Sequence, residues 1–346
     1  MDLLNPPTNY IGTALFLSYI LVALVLTARA LLHLHTLHFE SLVHDTSPAS
    51  AARFATLATA AFVIFATLSY NMVSFLAISY TSFCEARGLD LLPADLPDVF
   101  GQVGHWMLSS TLFADFARDL VVGGTAPSRA WAQTALVWSL GVSVFVGTEG
   151  KRRWTRGGWA GGKGAVVVAL AQVLPVSFAL VLWLMGDVDD SSSSTDHQTP
   201  SGIQEGKPDG KKPGEDAEDA VEVSPAVPAA AVAYLAALPF LAQAARESMM
   251  KLIGVVFLLR ACLAVPYLAS KPAPKGSTTS STRDLTYGVI AAGGLVQLGL
   301  VWSKAVTNSS DWVEIVEGIW ENPAVGAVAM DAVFGAFSAV VFVLVD

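Results

Sequence analysis

The chain has little charge for its length. Only 14% of its 346 residues are Asp, Glu, Lys or Arg, whereas 53% are hydrophobic and the mean hydropathy is +0.53. A soluble protein of this size carries far more charge on its surface. The composition therefore predicts a protein whose solvent is largely lipid.

Further absences exclude several classes of function. Cys84 and Cys262 are the only cysteines and match no paired or metal-ligand spacing, so neither a disulfide framework nor a thiol site is predicted. No basic stripe interleaved with aromatics supports nucleic-acid binding. Gly-rich phosphate loops, a DDxxD-type diphosphate–metal motif, a nucleophile-elbow serine and a dinucleotide fingerprint are also missing. The histidines between residues 33 and 44 match no metal-ligand pattern such as a compact HxxxH with a glutamate, and a loose surface cluster is expected there in place of a metal site.

Long apolar runs are abundant. About 20 apolar residues cross a hydrocarbon core of about 30 Å, and runs of this kind predict eight spans at approximately 11–32, 54–80, 129–149, 164–185, 226–245, 248–268, 285–304 and 323–345. The fifth contains several prolines and could be kinked or partly interfacial, which leaves seven spans as the fallback. The basic residues of 151–163 place that loop in the cytosol by the positive-inside rule.

The formal charge of −9 belongs mainly to one segment. Residues 186–224 hold eleven acidic side chains against three lysines and almost no large apolar side chain. Such a composition predicts a disordered linker. It separates an N-terminal membrane half, residues 1–185, from a C-terminal half, residues 225–346, each with four spans.

Residues 102–120 have a different pattern from the spans. Trp106, Phe113, Phe116 and Leu120 recur at helical spacing, and ionisable side chains lie between them. This pattern is typical of an amphipathic interfacial or re-entrant helix, which could cap a cavity between the spans. The predicted fold is therefore an all-α polytopic bundle of about eight transmembrane helices with one amphipathic or re-entrant helix.

Asp331 is an energetic anomaly, because no other charge accompanies it in the last span. A carboxylate at that depth costs roughly 2.5–3.5 kcal/mol on insertion scales unless it is protonated, paired or facing a wet cavity. Arg260 is the other deeply placed charge and could pair with it as a structural bridge between two spans. Pairing would keep the carboxylate ionised, whereas apolar burial without a partner would leave a proton to donate.

Three further carboxylates are candidates. Asp115 and Asp119 stand four residues apart on the amphipathic helix and repel mildly, so one could hold a proton if that face is dry; a solvated face is the alternative. Glu149 ends the third span directly before the cations at 151–153 and could instead pair with them at the level of the lipid headgroups.

Trp138 is the deepest of the prominent tryptophans in the predicted spans. An aromatic face in an apolar cavity can stabilise a carbocation by about 2 kcal/mol or more once desolvated. Core packing explains a lone tryptophan equally well.

Three sequence blocks carry a resemblance to a known family. They are His105-Trp106 to Phe113-Ala114-Asp115-Phe116, Trp138 to Gly147-Thr148-Glu149-Gly150-Lys151-Arg152-Arg153, and Asn322-Pro323-Ala324-Val325 to Met330-Asp331. In order and spacing they resemble a fungal family of polytopic membrane proteins found with meroterpenoid pathways, which includes the eight-helix terpene cyclases of the ascochlorin and ascofuranone type.

The resemblance implies an isomerase-type cyclisation of an epoxidised prenyl chain in an internal membrane such as the endoplasmic reticulum. It needs a protonated carboxyl group as general acid, and no cofactor or metal. The expected partners are the bilayer and a hydrophobic prenylated small molecule. The candidate catalytic residues are Asp331, Asp115 and Glu149, and the candidate substrate-binding residues are Trp106, Phe113, Phe116, Asp119, Trp138 and Arg260. A non-catalytic transporter or a pathway scaffold is the alternative.

Overall fold

The computed structural model describes residues 9–43, 48–93, 95–150, 164–174, 176–193, 221–272 and 280–345. Nearly all of them are helical. The helices are α1 (Tyr10–Val43), α2 (Pro48–Arg87), α3 (Leu96–Ser109), α4 (Leu112–Val121), α5 (Ala126–Phe145, continued by the π-helical turn Val146–Gly150), α6 (Gly164–Val173), α7 (Val176–Ser193), α8 (Ala226–Glu247), α9 (Met249–Ala269), α10 (Ser280–Asn308), α11 (Trp312–Glu317) and α12 (Pro323–Val345). A two-residue strand, β1 (Val221–Glu222), pairs antiparallel with β2 (Lys271–Pro272).

Within the described ranges, seven helices are long and apolar enough to cross a membrane: α1, α2, α5, α8, α9, α10 and α12. The prediction of an all-α membrane helical bundle is confirmed at this level. The fifth predicted span is the continuous helix α8, which passes through Pro239 without interruption.

The fourth predicted span is not a single helix. The run 164–185 divides into α6 and α7, because α6 ends at Val173 and α7 begins at Val176. Proline at position 175 explains the break, since it lacks the amide hydrogen and its ring collides with the preceding turn of a helix. Each half is too short to span a bilayer alone.

The predicted amphipathic helix 102–120 is likewise two helices. Helix α3 ends at Ser109, and α4 starts after its N-cap Thr111. Serine and threonine favour such ends because their hydroxyls compete for backbone hydrogen bonds. Here the Ser109 hydroxyl donates to the carbonyl of His105, and the side chain of Asn9 donates to the carbonyl of Ser110.

Helix α7 lies at the centre of the bundle. Its residues from Val176 to Met185 are buried, and it packs against α1, α2, α5, α6 and α12. A second apolar core joins α5, α8 and α9, while α10 is mostly exposed on the outside, against α5 and α8. The central position of α7 makes the break that precedes it a point where several helices meet.

The predicted linker 186–224 lies largely outside the described residues. Helix α7 extends beyond the predicted end of the fourth span, to Ser193, and the chain is described again from Val221. The predicted cytosolic loop 151–163 is also outside the described residues.

Candidate functional site

A cavity of about 220 Å³ lies beside the break between α6 and α7. Helices from both halves of the chain form its wall: α1, α2, α4 and α5 from the first, and α8, α9 and α12 from the second. Most of the lining is aliphatic or aromatic, and its aromatic members are Phe16, Tyr19, Phe75, Phe116 and Tyr234. The charged side chains among the described lining residues are Asp331 and Arg260. The cavity is therefore apolar, with one carboxyl group and one guanidinium.

Asp331 reaches the cavity from α12 and meets the first turn of α7. The backbone amide of Ser177 donates to its carboxyl group, at 3.1 Å from Oδ1 and 3.4 Å from Oδ2. The side chain of Asp331 is 6% exposed. The first amides of a helix have no intrahelical acceptor, and they attract a carboxylate through the helix dipole. Asp331 thus caps a helix that begins inside the bundle.

Trp138 belongs to the same hydrogen-bonded group. Its Nε1 donates to the hydroxyl of Ser177 at 3.0 Å, and Ser177 is fully buried. Gly335, one turn along α12 from Asp331, leaves the necessary space, because a Cβ atom there would lie 2.0 Å from the Ser177 Oγ and 2.7 Å from the Trp138 Nε1. Helices α5, α7 and α12 are therefore joined at Ser177.

The other end of the break is satisfied by different side chains. Arg260 donates from Nη1 to the carbonyl of Ala171 at 3.5 Å, and the Tyr19 hydroxyl donates to the carbonyl of Val173. Both carbonyls belong to the last turn of α6, where a helix lacks amide donors and carries partial negative charge. A cation and a phenol donate hydrogen bonds to the free carbonyls at the C-terminal end of α6. A carboxyl group accepts them from the free amides at the N-terminal end of α7.

Asp331 and Arg260 line the same cavity but do not form an ion pair within 4 Å of each other among the described contacts. Each binds the backbone at its own end of the break. The hypothesis of a direct Arg260–Asp331 bridge is therefore not what the structure shows, although both charges do stabilise the assembly of helices.

Helix α4 closes one side of the cavity. Leu112, Phe116 and Leu120 line it, and the Phe116 ring packs edge-on against Phe75 with centroids 5.3 Å apart. The amphipathic character of this helix puts its apolar face on the cavity. Its acidic residues lie elsewhere.

Asp115 and Asp119 are not among the described lining residues. Asp115 accepts a hydrogen bond from the Thr111 hydroxyl at 2.8 Å and lies 3.6 Å from Arg118. Burial raises the pKa of the Asp119 carboxyl above its ordinary value, and the side chain of Asn322 partly opposes that shift by hydrogen bonding to it. Both carboxylates therefore have partners of their own and are not among the described lining residues.

The remaining predicted residues have different positions. Trp106 packs with Phe16 and Phe75 in a small core behind the cavity wall, and its Nε1 donates to the Ser79 hydroxyl at 3.3 Å. The side chains of Phe113 and Glu149 lie outside the described residues. The structure thus brings Asp331, Arg260 and Phe116 to one cavity, with Trp138 next to Asp331 through Ser177.

Several residues of the site were not predicted from the sequence. Tyr19, Ser177 and Tyr234 carry common side chains inside apolar runs, so no motif marks them. Pro175 is the signal that could have revealed the break, and with it the helix ends where Ser177 and Val173 lie. In the described part of the chain, no group of three or more His, Cys, Asp or Glu could hold a metal ion.

No family model, curated protein or solved structure matches this chain. Its function has to be inferred from the chemistry of the cavity.

Proposed function

We propose that this chain is a membrane-embedded terpene cyclase of the isomerase type, which protonates an epoxidised prenyl chain of a meroterpenoid. The observation that carries the proposal is Asp331, the one carboxyl group among the described lining residues of a cavity walled mainly by aliphatic and aromatic side chains. Its place in the Asn322–Asp331 block, which resembles the cyclase family, supports the same assignment.

The proposed membrane topology has eight crossings. The seven long apolar helices supply seven, and α6 with α7 together supply the eighth as a broken helix. A break at membrane depth is tolerated when its polar backbone groups are buried in protein and satisfied, as the partners of Ala171, Val173 and Ser177 show. An internal membrane such as the endoplasmic reticulum is the proposed location.

The proposed reaction begins with transfer of the Asp331 proton to the epoxide oxygen. The bond between that oxygen and the more substituted carbon breaks, an alkene of the same chain supplies the electron pair for a new carbon–carbon bond, and the positive charge moves to the ring. A proton then leaves the final cation, and its former bonding pair becomes an alkene. The Asp331 carboxylate is the one carboxylate that the described lining offers as base, so acid and base would be the same residue and the product an isomer of the substrate.

The aromatic lining suits a cationic intermediate. Phe16, Phe75 and Phe116 form one side of the cavity, and aromatic faces attract cations by about 2 kcal/mol or more when water is absent. Exclusion of water also prevents its addition to the cation in place of the alkene.

The size of the cavity limits what it encloses. Pockets for drug-sized ligands measure roughly 300–1,000 Å³, so a cavity of about 220 Å³ holds the reacting prenyl portion of a meroterpenoid while the remainder extends beyond it.

The test is expression of the chain in microbial membranes with an epoxy-farnesyl phenol. A cyclised isomer of equal mass, separated by chromatography, is the expected product. Asp331→Asn should abolish it. Asp115→Asn is the matched control, because it removes the same charge from a residue outside the described lining, and it should retain turnover. Unchanged substrate, in membranes where a cyclase of known activity succeeds, would overturn the proposal.

A transporter is the second candidate, and the broken helix is the observation that favours it. Discontinuous helices with charged groups at their ends form the substrate sites of many transporters near the middle of the bilayer. Proteoliposomes that move a prenylated phenol across the bilayer without isomerising it would support this candidate. The predominantly apolar lining favours the cyclase.

A further inference from the structure

The two charged residues of the cavity's described lining differ in how many of their donors and acceptors are hydrogen bonded. Asp331 is a buried acceptor that already receives the Ser177 amide, close to both carboxyl oxygens. Arg260 has a planar fork with five N–H donors, and the described contacts give it a single acceptor, the Ala171 carbonyl, at the long distance of 3.5 Å. Arg260 therefore has more N–H donors than described acceptors.

The position of Arg260 makes those donors accessible. The residue lines the cavity and is exposed, not buried, so a ligand can reach its guanidinium. Its neighbours Phe257 and Leu258 are 71% and 49% exposed and form the outer, apolar face of α9. A guanidinium among such neighbours is costly in a bilayer unless an acceptor meets it.

The surroundings of Arg260 contain no described carboxylate within ion-pair distance. Tyr19 and Tyr234 line the same cavity, and their hydroxyls donate hydrogen bonds to the carbonyls of Val173 and Leu136. These phenols are neutral, so the positive charge has no counter-charge within ion-pair distance among the described side chains.

We infer that the ligand of this cavity is an amphipathic organic acid, whose anionic oxygens bind Arg260 while its apolar chain lies against Phe16, Phe75 and Phe116. A carboxylate on an aromatic ring matches the planar fork, because two parallel N–H donors fit its two oxygens. The inference deepens the proposed function and rests on it for the prenyl class of the chain: the preferred substrate is a prenylated aromatic acid, and a neutral phenol of similar shape is a weaker substrate.

The test measures binding without turnover. The probes are a farnesyl-substituted benzoic acid and its primary amide, which has nearly the same shape but no charge; neither contains an epoxide. Their affinities for the full chain in lipid nanodiscs are measured by calorimetry and corrected with empty nanodiscs for partitioning into lipid. The acid should bind about tenfold more tightly than the amide, as expected for charge-assisted hydrogen bonds.

Variants then assign the preference to one residue. Arg260→Gln should remove the preference by weakening the binding of the acid much more than that of the amide, whereas Arg260→Lys should keep part of it. Lys304→Gln is the matched control, because it deletes a cation from an exposed position on α10 outside the described lining, and it should behave as the unmodified chain does. Equal binding of acid and amide by the unmodified chain overturns the inference, as does a preference that survives in Arg260→Gln. The comparison on the unmodified chain decides the matter even where a variant does not fold.

Epoxidised forms of both probes separate this inference from the cyclase proposal. Binding preference for the acid without cyclisation of either probe would leave the inference standing and remove the cyclase. Cyclisation of both at equal kcat/KM, with equal affinities, would leave the cyclase and remove the inference.

Discussion

Asp331 and Arg260 bind opposite ends of one interrupted helix. Asp331 accepts the amide of Ser177 at the start of α7, and Arg260 donates to the carbonyl of Ala171 near the end of α6. Each side chain bonds to a backbone group that its helix end leaves without an intrahelical partner. The two side chains offset the cost of interrupting a helix inside the bundle, which gives each a structural role beside any role in binding or catalysis.

The structural role of Asp331 can be separated from the proposed acid by two substitutions. Asp331→Asn retains an oxygen for the Ser177 amide, so its thermal midpoint in detergent should stay close to that of the unmodified chain while cyclisation is lost. Asp331→Leu removes the acceptor and should destabilise the protein by about 1–3 kcal/mol, the cost of an unsatisfied buried donor. Full turnover by Asp331→Asn would exclude the acid role.

Trp138→Phe should weaken the junction of α5, α7 and α12. It deletes the hydrogen bond to the Ser177 hydroxyl, a loss of about 1 kcal/mol, and it should also lower turnover by moving Ser177 and hence Asp331. Trp302→Phe is the control, since its Nε1 makes a bond of the same length, 3.0 Å, to the Thr134 hydroxyl. We expect both variants to lose similar thermal stability, and only Trp138→Phe to lose turnover. Equal turnover in the two variants would show that Ser177 does not position the acid.

Gly335→Ala should destabilise the bundle because the new Cβ atom would lie 2.0 Å from the Ser177 Oγ. Overpacking of this kind costs about 1–3 kcal/mol. Gly299→Ala, on the exposed helix α10, meets nothing within 4 Å and should be neutral or slightly stabilising. Thermal denaturation of both variants in the same detergent measures the difference, and an unchanged midpoint for Gly335→Ala would contradict the tight approach of α12 to α7.

Asp119 should make stability depend on pH. Burial raises the pKa of its carboxyl, against the opposing effects of Asn322 and Arg118 and with a smaller contribution from Asp115. The folded protein therefore binds this proton more tightly than the unfolded chain does, and the contribution of Asp119 to stability falls as pH rises from about 4 through the raised pKa.

Thermal midpoints from about pH 4 to about pH 7 test this slope. Asp119→Asn should reduce it and should be at least as stable as the unmodified chain at neutral pH. Asp115→Asn removes a charge one turn earlier that contributes less to this pKa than burial does, and it should keep most of the slope. A pH profile for Asp119→Asn that parallels the unmodified one would rule out Asp119 as its source.

Hydropathy predicted most of the fold, because a bilayer imposes a minimum length on each apolar helix. The runs that became α5, α8, α9 and α12 needed no tertiary information. The break within 164–185 did need tertiary information. The hydropathy of a long apolar run is the same whether or not other helices supply partners for the backbone groups at a break. Pro175 indicated where it would occur, but only Asp331, Arg260 and Tyr19 show why it is tolerated.

The candidate site was predictable only in part. Asp331 and Arg260 stood out because charge is rare in such spans, and Phe116 belonged to a periodic aromatic pattern. Asp115 and Asp119 share that helix but are not among the described lining residues of the cavity, since one turn of a helix carries residues to every side of it. Tyr19 and Tyr234 could not be predicted as site residues, because a tyrosine in an apolar span indicates no site unless the cavity beside it is known.

The capping of α7 by a residue of α12 also sets an order of assembly. A ribosome completes α7 well before it reaches residue 331, so the first amides of α7 enter the membrane without their carboxylate partner. The central helix obtains that partner only when the last described helix is inserted. Assembly of the cavity is therefore a late event in biogenesis, and a chain interrupted before residue 323 has the break without the carboxylate that closes it.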